Sequence, residues 1–165
     1  MRIALAIAAL MVGAAAPGAP TPIAPTGETR LVSRLDGVEV SADLLTHELP
    51  IERPGGGASP RRTNNCTYSR IPCVLLESLE LKVGGQSVFV PRSAFGDLSD
   101  VGSAALRRIG AGQFALTLQG GDAAESYKVE LVFDKARVRE RILTDKEAGM
   151  VAEKTVYFDV SKAFN

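Results

Sequence analysis

Tyr127-Lys128-Val129-Glu130-Leu131-Val132-Phe133 is the stretch of sequence that decides the fold. Its first, third, fifth and seventh residues are apolar or aromatic, whereas Lys128 and Glu130 between them are charged. Because successive side chains of a strand point to opposite faces, this alternation places Tyr127, Val129, Leu131 and Phe133 on one side. The stretch therefore predicts a half-buried β-strand whose apolar face packs on a core.

The residues just before this strand repeat the same pattern. In Gln113–Gln119, Phe114, Leu116 and Leu118 share one face, and Gly110-Ala111-Gly112 separates this segment from Ala104–Ile109. Glycine-rich punctuation between two such runs is typical of a hairpin. Ser103–Ile109 also fits a short helix that ends at Gly110, and the sequence leaves that alternative open.

The rest of the chain adds further predicted strands. A hairpin turn is expected at Asp36-Gly37 and another at Gly84-Gly85, and Ala94–Gly102 is expected to be a loop with a turn of helix capped by Asp97 or Asp100. With turns spaced regularly, about eight strands predict an all-β protein, an antiparallel β-sandwich or small barrel with a largely meander order. The further strands are expected at Leu31–Leu35, Val38–Leu44, Cys73–Val83, Ser87–Pro91, Arg137–Leu143 and Lys154–Val160.

The amino terminus has the layout of a signal peptide. Met1-Arg2 precedes an apolar run from Ile3 to Val12, and small residues follow. The run is shorter than the roughly 20 residues that span a bilayer, so cleavage near residue 15 is favoured over an uncut anchor. We therefore predict a periplasmic or secreted protein that is not inserted in a membrane after cleavage. The predicted organisation is a signal peptide over 1–15, a disordered proline-rich leader over 16–28 that forms no ladder, and a single β-rich domain over 29–161.

The two cysteines agree with export. Cys66 and Cys73 enclose six residues, and an even number of cysteines in an exported chain favours a disulfide. A loop of this length constrains the unfolded chain by about 2.5 kcal/mol in the loop-entropy model. The fold is thus expected to carry one short disulfide-clipped loop.

The overall charge argues against some classes of partner. Nineteen basic residues balance nineteen acidic ones, so the chain has no net field to attract nucleic acid. Tryptophan, which often forms the flat platform of a sugar-binding site, is absent from the sequence. Another protein is the favoured partner, and a small molecule is not excluded.

Two basic segments are the candidate binding surfaces. Arg137, Arg139 and Arg141 stand two apart, so a regular strand points all three guanidinium groups to one face, where they can grip carboxylates or phosphates. The alternative is an edge strand kept soluble by its charges, with Glu130 as a cross-strand partner. The second segment is the disulfide loop and the residues before it, where a rigid aromatic tip beside arginines is typical of a binding anchor. The alternative there is a mobile surface loop. The candidate binding residues of this second segment are Tyr68, Arg70, Arg61 and Arg62.

The sequence gives little support for a catalytic or a metal-binding site. The chain has one histidine, His47, and lacks the Gly-x-Ser-x-Gly sequence that presents a nucleophile. A buried Glu77 or Glu140 with a raised pKa remains a possible catalytic group. Neither a cofactor nor a metal site is expected, since ordinary turn chemistry explains the acidic residues of the loops. Those residues are Asp97, Asp100, Asp122 and Glu125.

The sequence therefore predicts an exported, non-enzymatic β-domain that binds a protein partner in the cell envelope or outside the cell, through the Cys66–Cys73 loop, a sheet edge or the three arginines of Arg137–Arg141. An immunity-like inhibitor and an envelope accessory protein both fit this size and compartment. The alternative is a small secreted hydrolase that uses carboxylates or the lone histidine.

Overall fold

The computed structural model describes residues 19–49, 66–67 and 72–159. Within these ranges the chain forms two antiparallel sheets, one of six strands in the order β1-β6-β7-β8-β9-β10 and one of four in the order β2-β3-β4-β5. The strands are β1 Thr21–Pro22, β2 Gly27–Leu35, β3 Val38–Leu49, β4 Cys73–Val83, β5 Gln86–Val88, β6 Val101–Gly110, β7 Gln113–Gly120, β8 Tyr127–Phe133, β9 Val138–Asp145 and β10 Met150–Val156.

The two sheets pack face to face over one apolar core, which confirms the predicted all-β sandwich. Alternate residues of β8 supply part of this core, and the Phe133 ring lies 5.8 Å from that of Phe114 on the paired strand β7. Burying each large apolar side chain stabilises the fold by about 2 kcal/mol. The largest fully buried apolar side chains are Phe133, Leu44, Leu76, Leu81, Leu98, Leu106, Leu116, Leu118, Leu131, Val40 and Val129.

Both predicted two-residue hairpin turns are present. Asp36 and Gly37 have φ angles of 53° and 75°, and Gly84 and Gly85 have 59° and 79°. Two successive positive φ angles give the turn a twist that matches the twist of the flanking strands. The turns therefore set the registers that begin at Leu35 opposite Val38 and at Val83 opposite Gln86.

The leader departs from the prediction. We expected no ladder before residue 29, but Thr21 and Pro22 pair with Ala104 and Ser103 of β6, and the Ile23 N–H donates to the Gly102 carbonyl at 3.0 Å. A proline lacks the N–H donor but is tolerated on an edge strand. The side chain of Ile23 is buried in the core, and this burial offsets the cost of ordering the segment.

The structure also settles the extent of β6, of the first short helix and of β5, which the prediction gave in part. Ser103–Ile109 is strand rather than helix, since it lies within β6 and pairs with β7. A short 3-10 helix covers Arg92–Ala94, so it ends where the expected loop begins, and Pro91 rather than Asp97 or Asp100 precedes it. β5 ends at Val88, three residues before the predicted Pro91, because Phe89 leaves the four-stranded sheet. The Phe89 N–H donates to the Ala136 carbonyl at 2.9 Å, in the segment between β8 and β9.

In the described ranges, no helix is long and apolar enough to cross a membrane. The disulfide between Cys66 and Cys73 is present, with 5.6 Å between the two Cα atoms. A disulfide is typical of proteins outside the reducing cytosol, so this feature is compatible with an extracytoplasmic location.

Candidate functional site

The last strand of the six-stranded sheet is the most exposed of the described strands. β10 pairs with β9 on one side, and the described part of the chain places no strand on its other side. Six of its seven residues are exposed. Among them Met150 is 66% and Val151 58% exposed, and Phe158, just beyond the strand, is 80% exposed. We call residues Met150–Asp159 the β10 edge.

The β10 edge continues past Val156 alongside the start of β9. The Tyr157 N–H donates to the Arg139 carbonyl at 2.9 Å. Further on, the Asp159 carboxylate forms an ion pair with the Arg137 guanidinium. The chain therefore remains extended and attached to its neighbour through Asp159, although the regular strand ends at Val156.

Arg141 ties the β10 edge to the body of the sandwich. Its guanidinium donates to Glu153 of β10 at 2.7 Å and to Asp97 at 2.6 Å, and its side chain is 2% exposed. Hydrogen bonds from Thr155 and Arg141 lower the pKa of the Glu153 carboxyl. One buried cation thus joins β9, β10 and the loop that follows the short 3-10 helix.

The three arginines do not share one face, contrary to the prediction. Val132 of β8 lies opposite Glu140, but Phe133 lies opposite Val138, so Arg139 is an extra residue in β9. Such a β-bulge breaks the period of two. As a result Val138 and Arg141, three residues apart, are both buried.

Each of these arginines lies on a carboxylate of its own chain. Arg137 contacts Asp159, Arg139 contacts Asp134 at 2.7 Å, and Arg141 contacts Glu153 and Asp97 as above. Glu130, the expected cross-strand partner, pairs instead with Arg107 of β6. The structure therefore spreads the three guanidinium groups over separate ion pairs rather than bringing them together.

Asp134 holds the turn that leads into β9. Burial alone raises the pKa of this carboxyl, but hydrogen bonds from the Arg137 and Ala136 backbone N–H groups and from the Arg139 side chain outweigh it, so the pKa is lowered. The turn that we predicted near residues 134–135 is thus fixed by its own acidic side chain, which accepts both N–H groups at 2.7 and 2.9 Å.

Asp100 binds the backbone beside both cysteines of the Cys66–Cys73 loop, which we call the disulfide clip. From the sequence we expected Asp100 only to cap a helix. The side chain accepts the Thr67 N–H at 2.9 Å and the Val74 N–H at 3.0 Å, and it is 1% exposed. Its φ of 52° is a conformation that Asp tolerates better than most residues. That tolerance is the single sequence signal for this role. The predicted anchors Tyr68, Arg70, Arg61 and Arg62 lie outside the described residues.

The residues considered for catalysis lie apart from one another and near the surface. His47 Nδ1 is 3.1 Å from Glu77 Oε2, with the two side chains 40% and 51% exposed. Glu140 forms an ion pair with Lys154 at 3.1 Å. Neither glutamate is buried, so the structure lacks the buried carboxyl on which that hypothesis depended.

The acidic residues of the loops also separate. Asp97 and Asp100 are engaged by Arg141 and by the clip, whereas Asp122 and Glu125 flank the second short 3-10 helix. Among residues 19–49, 66–67 and 72–159, no three metal-ligating side chains are grouped in a way that could hold an ion.

The sequence did not identify the β10 edge as a surface. It predicted a closing strand over Lys154–Val160, but the strand begins at Met150. The weak signal was the run Met150-Val151-Ala152-Glu153-Lys154, which is apolar and then charged instead of alternating. A strand without alternation has no single face to bury.

Comparison of the chain with protein-family models, with curated proteins and with solved structures finds no match.

Proposed function

We propose that this protein is an exported, non-enzymatic β-sandwich that binds a protein partner by strand addition at the β10 edge. The observation that carries the proposal is the exposure of six of the seven residues of β10, several of them large and apolar, on a strand with one unpaired side among the described residues. An exposed edge strand presents a row of unpaired backbone N–H and C=O groups, which is a template for pairing with another chain.

The backbone of the β10 edge supports this mode of binding. The Tyr157 N–H points to β9, and N–H and C=O groups alternate in direction along a strand. Lys154, Val156 and Phe158 therefore direct their backbone groups away from β9. An extended segment of a partner can pair with these groups while its side chains cover Val156 and Phe158.

The location outside the cytosol rests on two further observations. The amino terminus reads as charged, then apolar, then small, which is the order of a signal peptide. The Cys66–Cys73 disulfide agrees with an oxidising compartment. An immunity-like or accessory role in the envelope or outside the cell fits both.

Affinity capture tests the proposed function. The tagged protein is incubated with an envelope extract of its own source, and the co-eluting chains are identified by mass spectrometry. Val156→Lys places a charge in the middle of the β10 edge and is expected to reduce partner recovery at least tenfold. Val32→Lys is the matched control, because Val32 is 53% exposed on β2, an edge strand of the other sheet.

Two results contradict the proposal. One is partner recovery that is the same for Val156→Lys and for the unmodified protein. The other is loss of recovery in a Tyr68→Ala, Arg70→Ala double variant with Val156→Lys unaffected, since the disulfide loop rather than the sheet edge then binds the partner.

A further inference from the structure

The outward groups of the β10 edge are arranged so that the strand can pair with itself. Lys154, Val156 and Phe158 present their backbone groups to the open side, and their side chains lie on the outer face, since Glu153 and Thr155 between them face inward toward Arg141. The three residues are evenly spaced, with Val156 in the middle.

Two-fold symmetry limits how two such strands can meet. An antiparallel pair related by a two-fold axis keeps each face of the sheet on the same side, so only residues that share a face in one strand can lie opposite each other. The axis must therefore pass midway between a residue and its own copy in the other chain, so that one residue of the strand lies opposite itself.

Of the possible centres, Val156 uses the β10 edge most fully. It sets Val156 opposite its copy and Lys154 opposite Phe158 of the second chain, so all three outward residues of each strand find hydrogen-bonding partners. A centre at Lys154 opposes two like charges, and centres at Thr155 or Tyr157 pair two of the three outward residues within the described chain. A centre at Glu153 brings the β10 bulge, between Val151 and Glu153, opposite Lys154.

The charges on the inner face are compatible with this register. It sets Glu153 opposite Asp159 of the other chain, but Glu153 is already bound by Arg141 and Asp159 by Arg137. On the outer face each Lys154, whose ammonium is paired with Glu140 of its own chain, comes opposite an exposed Phe158 ring, which a cation can also contact favourably. Thr155 faces Tyr157, a β-branched–aromatic pair of the kind that stabilises neighbouring strands.

We propose that the partner at the β10 edge is a second copy of this chain, paired antiparallel about a two-fold axis at Val156. The inference rests on the proposed function, because it names the partner for the same edge. The pairing joins the six-stranded sheets of two molecules into one continuous sheet, and it covers Val156 and Phe158 in both.

Site-specific cross-linking tests the register. Directly opposite residues of a hydrogen-bonded pair have Cα atoms about 5.5 Å apart, within the range that a disulfide accepts. Under mild oxidation Val156→Cys is expected to give a covalent dimer as the main product, whereas Val32→Cys gives little. Peptide mapping shows whether the bond joins the two introduced cysteines and not Cys66 or Cys73.

Sedimentation equilibrium supplies the independent measurement. The unmodified protein is expected to have the mass of a dimer, and Val156→Pro the mass of a monomer, because proline removes an N–H that points away from β9 and leaves the β9–β10 pairing intact. A monomeric unmodified protein overturns the proposal. So does a dimer that Val151→Cys cross-links more readily than Val156→Cys.

The capture experiment separates this inference from the proposed function. Recovery of an untagged copy of the same chain, lost in Val156→Lys, supports both. Recovery of a different protein that depends on Val156, with no copy of this chain, overturns the second-copy proposal and leaves strand addition standing. If neither is recovered and the protein is monomeric, both fail.

Discussion

Arg141 shows how one residue can belong to the core and still carry a charge. Its side chain is 2% exposed, yet its guanidinium lies against two carboxylates, Asp97 and Glu153, that themselves reach solvent. A buried cation is tolerated when it is paired and hydrogen-bonded in this way. Its aliphatic stem packs as an apolar side chain would.

Replacing Arg141 is expected to destabilise the protein through both parts of the side chain. Arg141→Ala removes the ion pairs and leaves a cavity, and it is expected to lower the free energy of unfolding by about 3 kcal/mol. Arg141→Met keeps most of the side-chain volume, and the two carboxylates left without their partner can be solvated. Its free energy of unfolding is therefore expected to fall less than that of Arg141→Ala. Urea unfolding of the three proteins checks this order, and equal losses for the two variants would contradict the packing argument.

Two carboxyl groups, those of Asp134 and Glu153, are expected to make the stability of the protein depend on pH. The pKa of Asp134 and that of Glu153 are lowered in the folded protein, so the unfolded chain binds protons more readily than the folded one. Their contribution is present above the unfolded pKa values, 3.8 and 4.5, and is lost as pH falls through the folded values. The free energy of unfolding, measured in urea at several pH values between neutral pH and pH 3, is expected to fall with pH. It should fall less steeply in Glu153→Gln. An unchanged slope in that variant would exclude Glu153 as a source.

At the scale of elements, strands were predictable wherever one face is buried. β4 and β8 have the bounds that the sequence predicted. Buried residues alternate throughout β8, whereas β4 was predictable from its many valines and leucines and from the Gly84-Gly85 turn at its end. The position of β9 along the chain was predicted, but the faces to which its side chains point were not. Its bulge arises from pairing with β8, and nothing in the local sequence of Arg137–Leu143 marks the extra residue.

The disulfide clip is an element whose support comes from a distant residue. Asp100 accepts two backbone N–H groups, one from each side of the clip, and lies far from both in sequence. Sequence reasoning found the two cysteines by their number and spacing. It named Asp100 but could not assign this contact to it, because the contact exists only once β4 and the residues before β6 are in place.

Asp100→Ala is expected to loosen the clip. Loss of two charge-assisted hydrogen bonds in a buried place should lower the free energy of unfolding by about 3 kcal/mol. Local opening should also make the Cys66–Cys73 bond easier to reduce. The rate of reduction by dithiothreitol is measured against Asp122→Ala, a control at an exposed residue. Equal rates in the two variants would show that Asp100 does not hold the clip.

For the molecule as a whole, composition and periodicity predicted one sandwich with one disulfide, and both are present. The β10 edge was not predictable, because exposure depends on which strand ends the sheet. Strand order is a property of the whole topology. Alternation identifies a strand, but it does not say whether another strand lies beside it.

The disulfide is expected to make a modest contribution to the stability of the whole domain. Replacing Cys66 and Cys73 together by serine should lower the free energy of unfolding by about 2.5 kcal/mol in the loop-entropy model, with the fold retained. Circular dichroism at equilibrium in urea measures both. Complete unfolding in the absence of denaturant would contradict the view that the core, not the clip, determines the fold.

The docking of Thr21–Ile23 on β6 has a consequence for proteolytic processing. This short strap shields one margin of the six-stranded sheet, opposite the margin formed by β10. The cleavage near residue 15 that the amino-terminal sequence predicts would preserve the strap, whereas a cut beyond Ile23 would bare the Ser103–Ala104 backbone and remove a buried side chain. A sheet with two bare margins can grow end to end, so a chain that lacks residues 1–23 should assemble into fibrils, whereas a chain that retains Thr21–Ile23 should not; electron microscopy of the two chains checks this.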